Sequence, residues 1–166
     1  EQLHLLLAFP CASFRDKERF EAFIVNAFLG GGMTSKLYQT VREKRGLVYS
    51  IYSSLNTFAD FGMLNIYAAC EPQYMKSAFQ LIENQFDRMK KHGIRKSDLE
   101  FFRRQVKGAL LLGADDIENR MNSLAINEMV FGEYRSVDSI IRELEAVTVD
   151  SLKVFIDKYL KWEKAS

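Results

Sequence analysis

Two runs of alternating β-branched and aromatic residues, Leu47 to Thr57 and Phe61 to Ala69, lie on either side of a short break at Ala59-Asp60. A strand leaves its backbone donors and acceptors unpaired until another lies beside it, so two such runs in tandem predict an antiparallel hairpin. That commits the chain to a fold built on a sheet. Leu3 to Phe9 is apolar apart from His4 and stops at Pro10. It reads as a third, buried strand, although so short a run is also compatible with a helix.

Elsewhere the period is helical. From Asp16 onward Phe20, Phe23, Ile24, Ala27 and Phe28 share one face, while Lys17, Glu18, Arg19 and Glu21 begin the opposite one. Gly30, Gly31 and Gly32 end this helix. A second, short helix is expected next, with Thr34 or Ser35 as N-cap, Leu37 and Val41 facing inward, Lys44 and Arg45 near its negative end, and Gly46 as terminator. Beyond the hairpin, Met75, Ala78, Phe79, Ile82, Phe86 and Met89 form a stripe closed by Lys90, Lys91, His92 and Gly93. Three further starts are marked by Ser97 with Glu100 as a capping box, Asp115 or Asp116 before Ile117, Met121, Leu124 and Ala125, and Ser136 before Val137, Ile140, Ile141 and Leu144. Thr148 caps the last helix, whose stripe is Leu152, Phe155, Ile156, Tyr159 and Leu160. Strands early and helices late predict an α+β fold with an antiparallel or mixed sheet covered by helices. Three strands are few for so many helices, so upstream sequence is expected to supply more.

At 166 residues and 48% hydrophobic, the chain has the material for one core, and residues 1–166 read as a single domain. With 23 basic against 22 acidic residues, it lacks the field that a nucleic acid or an anionic membrane would call for. No long apolar run marks a membrane span, and no targeting signal is visible. Glu1 opens the chain without a methionine, directly ahead of a strand, which suggests a piece of something longer. Composition assigns no compartment.

Most familiar chemistries fail on the residues present. Cys11 and Cys70 are the only thiols and form no Cys-x-x-Cys pair, so two buried thiols are expected instead of a zinc ribbon. His4 and His92 are the only histidines, and neither His-x-x-Glu-His nor His-Glu-x-x-His occurs. His92 suits a helix C-terminus and His4 a satisfied core or edge position. No Gly-x-Ser-x-Gly elbow presents a nucleophile, and Asp115-Asp116 suits helix capping better than acid–base work. Gly30 to Gly32 meets neither phosphate-loop spacing. It reads as a tight helix-to-helix turn, or as a loop left free of side chains so that a peptide backbone can pass.

Arg42 and Tyr49 stand on either side of Gly46, one near a helix end and one near a strand start. Facing one cleft, a guanidinium and a phenol with a pKa of roughly 10 can both donate to carbonyl oxygens, and donors aimed at a developing oxyanion assist amide cleavage. Taken alone, such residues are commonplace at those positions.

The segment from Leu29 to Ser50, Leu-Gly-Gly-Gly-Met-Thr-Ser-Lys-Leu-Tyr-Gln-Thr-Val-Arg-Glu-Lys-Arg-Gly-Leu-Val-Tyr-Ser, resembles the signature of the C-terminal domain in the pitrilysin/insulinase family of zinc peptidases, which includes the mitochondrial processing peptidase. The likeness runs nearly end to end. Glu1-Gln2 through Phe9-Pro10 resembles the opening strand and Asp60-Phe61-Gly62 the hairpin; Glu118-Asn119-Arg120 with Phe131-Gly132, and Val147 to Asp150, resemble later helices. Lys36 departs from the arginine common there, keeping the charge and losing the planar fork.

The resemblance implies a half-domain of a clamshell. Zinc, three ligands and the general base belong to an N-terminal half, and this chain binds no cofactor of its own. It further implies that Tyr49 stabilises the tetrahedral intermediate, that Arg42 anchors the peptide, and that Gly30 to Gly32 border the substrate path. The expected partners are an N-terminal zinc-binding half or partner subunit and a peptide or presequence substrate, with a homodimer by analogy alone. The alternative within the family is an inactive scaffold subunit; an unrelated α+β ligand-binding domain would require the long match to be accidental.

Overall fold

The computed structural model describes residues 2–166. Glu1, at the head of the expected first strand, lies outside them. Three strands, β1 (Leu3–Cys11), β2 (Ser50–Thr57) and β3 (Gly62–Cys70), form a sheet of order β1-β3-β2. Both pairings are antiparallel, which settles the choice between an antiparallel and a mixed sheet. The hairpin turns where expected, with Phe58 N–H bonded to the Phe61 carbonyl at 2.8 Å.

β1 runs on through Pro10, opposite Met63. Proline lacks an N–H, and β1 tolerates it because it is an edge strand whose even-numbered residues turn their backbone groups outward. That outer edge meets the chain's last residue, with Ala8 and Ser166 exchanging N–H to O=C bonds of 2.9 and 3.0 Å. The edge position also corrects the expectation of a buried strand. Phe9 is fully buried, whereas Leu6 is 63% exposed.

Register explains this split. Leu7, Phe9, Ile51, Leu64 and Ile66 point to the face that the helices cover. Leu6, Tyr52 and Tyr67 point to the other face, where no helix lies over Leu6 and Tyr52. There Tyr67 packs 5.0 Å from the Tyr52 ring, and its hydroxyl lies 2.7 Å from His4 Nδ1. His4 is thus satisfied at an edge and is not a core residue.

The covering layer comprises α1 (Arg19–Leu29), α2 (Met75–His92), α3 (Lys96–Asp115), α4 (Ile117–Phe131), α5 (Val137–Glu145) and α6 (Val149–Tyr159). The α2 stripe holds as read, with Ala78, Ile82, Phe86 and Met89 buried. Phe86 stacks on Phe9 at 4.8 Å, and Trp162 packs against both from a closing turn at Trp162–Lys164. Each phenylalanine so buried contributes about 1.5–3 kcal/mol. Asp116, Ser136 and Thr148 cap α4, α5 and α6, the last in a reciprocal capping box with Ser151.

Other expectations are corrected. Arg19 and Glu21 are buried, not solvent-facing, because α1 is flanked by α3, α5 and α6. Arg19 reaches Glu143 on α5 at 2.5 Å, and Arg135 joins the same carboxylate. Burial, then the neighbouring Arg135 charge, brings the Arg19 pKa down to about 10. Ser97 and Glu100 form no capping box. α3 begins two residues earlier, at Lys96 with Arg95 in the N-cap position, and its first-turn carboxylate, Asp98, engages Arg95 at 2.9 Å and Lys36 at 3.5 Å. On α4 the expected stripe is outside, with Ile117 at 85%, Met121 at 60% and Leu124 at 44% exposure, and Met129 beyond it is exposed too.

Candidate functional site

The glycine run closes α1 and lays the chain along β2. Gly30 and Gly31 both donate to the Asn26 carbonyl, at 3.0 and 2.9 Å, while the Gly30 carbonyl accepts from Ser53 N–H at 2.9 Å. Ser53 Oγ in turn donates to Asn26 Oδ1 at 2.7 Å. A Cβ on Gly30 would sit 2.4 Å from the Ser53 nitrogen, and one on Gly31 would sit 2.7 Å from Ala27 Cα. Both glycines are therefore required by their own chain's packing, which is the tight-turn reading. Gly31 is exposed, and Gly32 lies between α1 and the next winding with only Gln105 near its Cβ direction.

That winding is wider than the expected α-helix. Tyr38–Glu43 is a π-helix in which Lys44 N–H bonds the Gln39 carbonyl five residues back at 3.2 Å. Leu37 and Val41 are fully buried beneath it, as their spacing indicated. Neither cap candidate serves: no side chain caps this segment, and Ser35 Oγ is buried without a hydrogen-bond partner among the described residues. Gly46 does end it, at φ +61°, with its N–H on the Arg42 carbonyl at 2.8 Å. Tyr49 N–H then bonds the Ala69 carbonyl at 2.8 Å, joining the chain to the end of β3.

Arg42 and Tyr49 are both exposed, and each side chain has its own neighbour. The Arg42 guanidinium lies 5.0 Å from the Tyr38 ring centroid. Tyr49 donates its hydroxyl proton to Glu71 Oε1 at 2.8 Å, and Gln73 Nε2 holds the other carboxylate oxygen at 2.8 Å. Glu71 is the residue that sequence reasoning missed. A carboxylate before Pro72 looks like a loop residue, and only the β3 register brings it to Tyr49.

The hydrogen bond to Glu71, reinforced by its charge, raises the Tyr49 pKa above the usual tyrosine value. A tyrosine hydroxyl is a donor across the neutral range in any case, and this shift extends that state further into alkaline pH. Replacing Glu71 with glutamine is expected to lower that pKa toward the ordinary value, visible as an earlier phenolate transition in ultraviolet absorbance when Tyr49→Phe serves as the subtraction control. An unshifted transition would show that Glu71 does not govern the hydroxyl.

Other reactive groups are silent. Cys11 and Cys70 are buried and free, and burial pushes the Cys11 thiol up to about 12 and raises that of Cys70, so neither is a thiolate at neutral pH. No three His, Cys, Asp or Glu side chains gather to hold a metal ion among the described residues. No described helix is long and apolar enough to cross a membrane. A surface cleft of about 510 Å³ between α3, α4 and α5 is not lined by Arg42, Tyr49 or Gly30 to Gly32.

These features define a class: an α+β domain with one open sheet face, exposed hydrogen-bond donors beside a glycine turn, and no metal site among the described residues. The chain belongs to the family described as the peptidase M16 inactive domain, whose model matches residues 1–106. The resemblance seen from Leu29 to Ser50 is thereby borne out, and the chain is a C-terminal domain of this peptidase family. It is 35% identical over 153 residues to an uncharacterized zinc protease of Streptomyces coelicolor, covering 92% of this chain and 33% of that protein. It is 34% identical over 150 residues to the uncharacterized zinc protease YmxG of Bacillus subtilis, covering 90% and 37%. The chain thus spans about a third of the length of the curated relatives it matches. Among solved structures, a protease from Helicobacter pylori superposes with a TM-score of 0.87 at 16% identity, over 99% of this chain and 39% of that one. The peptidase M16 inactive domain from Pseudomonas fluorescens gives 0.83 at 24% identity, over 99% and 39%.

Proposed function

We propose that residues 1–166 form one domain that completes the peptide-binding site of a zinc endopeptidase and is not catalytic alone. The observation that carries this reading is the pair of exposed donors flanking the Gly46 turn, the Arg42 guanidinium and a Tyr49 phenol hydrogen-bonded to Glu71. The described residues do not fit zinc; an N-terminal half or partner subunit would hold the metal, which would supply the activated water there.

This chain's part is to bind and stabilise. Tyr49 turns its proton from Glu71 to the oxyanion of the tetrahedral intermediate, and Arg42 donates to carbonyls of an unstructured peptide or presequence. Gly31 and Gly32 border the path of that peptide, and Gly30 fixes their position against β2. The exposed apolar residues of α4, Ile117, Met121 and Met129, support a covering partner, whether the other half or a second copy.

Replacing Arg42 with alanine is expected to raise KM about tenfold with a smaller change in kcat, since a group that binds the peptide in ground and transition states alike acts mainly on KM. Unchanged steady-state kinetics would leave Arg42 as a surface residue stacked on Tyr38. The reading as a whole is tested by zinc content and by cleavage of an unstructured fluorogenic peptide by the full-length protein, with and without chelator. Chelator-sensitive cleavage is expected; a zinc-free, inactive protein would assign the scaffold role instead.

A further inference from the structure

A second cleft, about 480 Å³, lies between the C-terminal half of α2 and the π-helix. Its walls carry Arg45, Arg88, Lys91 and His92 against a single carboxylate, Asp87. The whole chain has a formal charge of only +1, so this is a local concentration and not the surface of a basic protein. Among the described residues, none of Arg45, Arg88 and Lys91 has an ion-pair partner. The dipole of α2 accounts for Lys91 and His92 in its last turn. It does not account for Arg88, a turn earlier, and Arg45, just past the end of the π-helix, is brought to the same cleft from a different element.

The cleft is also elongated. Leu81, Asn84, Gln85, Arg88 and Lys91 follow one face of α2 at helical spacing, and from Leu81 to His92 the helix rises about 16 Å. An extended peptide of about five residues covers that length at roughly 3.3 Å per residue. The Asn84 and Gln85 amides and the Thr40 hydroxyl can pair with peptide backbone, which needs donors and acceptors in turn, while the cations meet side-chain carboxylates. A compact anion would use one end of such a strip and leave the rest idle.

We infer that this cleft binds an acidic peptide segment, with Arg45, Arg88 and Lys91 receiving its carboxylates. Its physiological occupant, an acidic stretch of the substrate, rests on the peptide-binding reading above; binding itself does not require turnover.

The test is fluorescence anisotropy of a labelled peptide with glutamate at alternate positions, titrated with the full-length protein. Binding is expected to weaken as salt is raised, and the lysine counterpart should not bind. Arg88→Glu with Lys91→Glu should raise Kd at least about tenfold, and Arg88→Gln with Lys91→Gln by less, the neutral pair guarding against misfolding by charge reversal. Equal binding of the two peptides, a Kd indifferent to both double variants, or displacement by inorganic phosphate at constant ionic strength would overturn the inference. Failure here beside Tyr49-dependent cleavage would remove the cleft alone, whereas glutamate-peptide binding by a protein that cleaves nothing would remove the peptidase reading alone.

Discussion

Replacing Tyr49 with phenylalanine in the full-length protein is expected to lower kcat by roughly one to three orders of magnitude, with little change in KM or melting temperature. The substitution keeps the ring and deletes a single donor. The residue is 51% exposed, and its hydroxyl makes an exposed hydrogen bond to the side chain of Glu71, so the fold loses no buried hydrogen bond. A donor that matters only when negative charge develops on the substrate acts on turnover, and steady-state kinetics beside a thermal melt separate the two effects. Unchanged turnover would end the oxyanion role and leave Tyr49 as one half of a surface hydrogen bond.

Gly30→Ala is expected to behave in the opposite way, destabilising the fold by about 3 kcal/mol and lowering Tm by about 6–12 °C. The reason is space and not backbone freedom. Gly30 has φ −152°, outside the left-handed region that favours glycine, but its Cβ would lie 2.4 Å from the Ser53 nitrogen. Ser53 cannot retreat without breaking its N–H bond to the Gly30 carbonyl and its Oγ bond to Asn26. Differential scanning calorimetry checks the prediction. A lower Tm with normal KM would make Gly30 purely a packing residue; a raised KM at unchanged Tm would show free space reserved for substrate.

What the sequence disclosed follows the range of the interactions involved. The hairpin, the α2 stripe, the Gly46 terminator and the Thr148 cap depend on residues a few positions apart, and each formed as expected. The burial of Arg19 depends on Glu143, 124 residues away, and the state of Tyr49 on Glu71 across a strand register. Neither leaves a periodic trace. The capping box at Ser97 failed because α3 starts before it, at Lys96, which puts Ser97 inside the first turn, where Asp98 pairs with Arg95 and with the distant Lys36. For α4 the pattern of apolar residues was right and their destination was not, since periodicity reports a face and not what lies against it. At the site, the motif from Leu29 to Ser50 located the donors, and only the coordinates supplied their partners.

The wide turn at Tyr38–Glu43 bears on how this region tolerates changes in length. One extra residue inserted into an α-helix leaves a turn of this kind, and deleting one residue between Tyr38 and Val41 would rewind it. A five-residue α-helical stretch turns through about the same angle as six residues of the wider coil, so the chain beyond keeps its bearing on the buried Leu37. Tyr49 is held separately, its N–H bonded to the Ala69 carbonyl in the sheet. This turn is therefore where the segment can lose one residue without turning Arg42 away from Tyr49, whereas the same deletion in a regular α-helix would rotate the chain beyond it by about 100°.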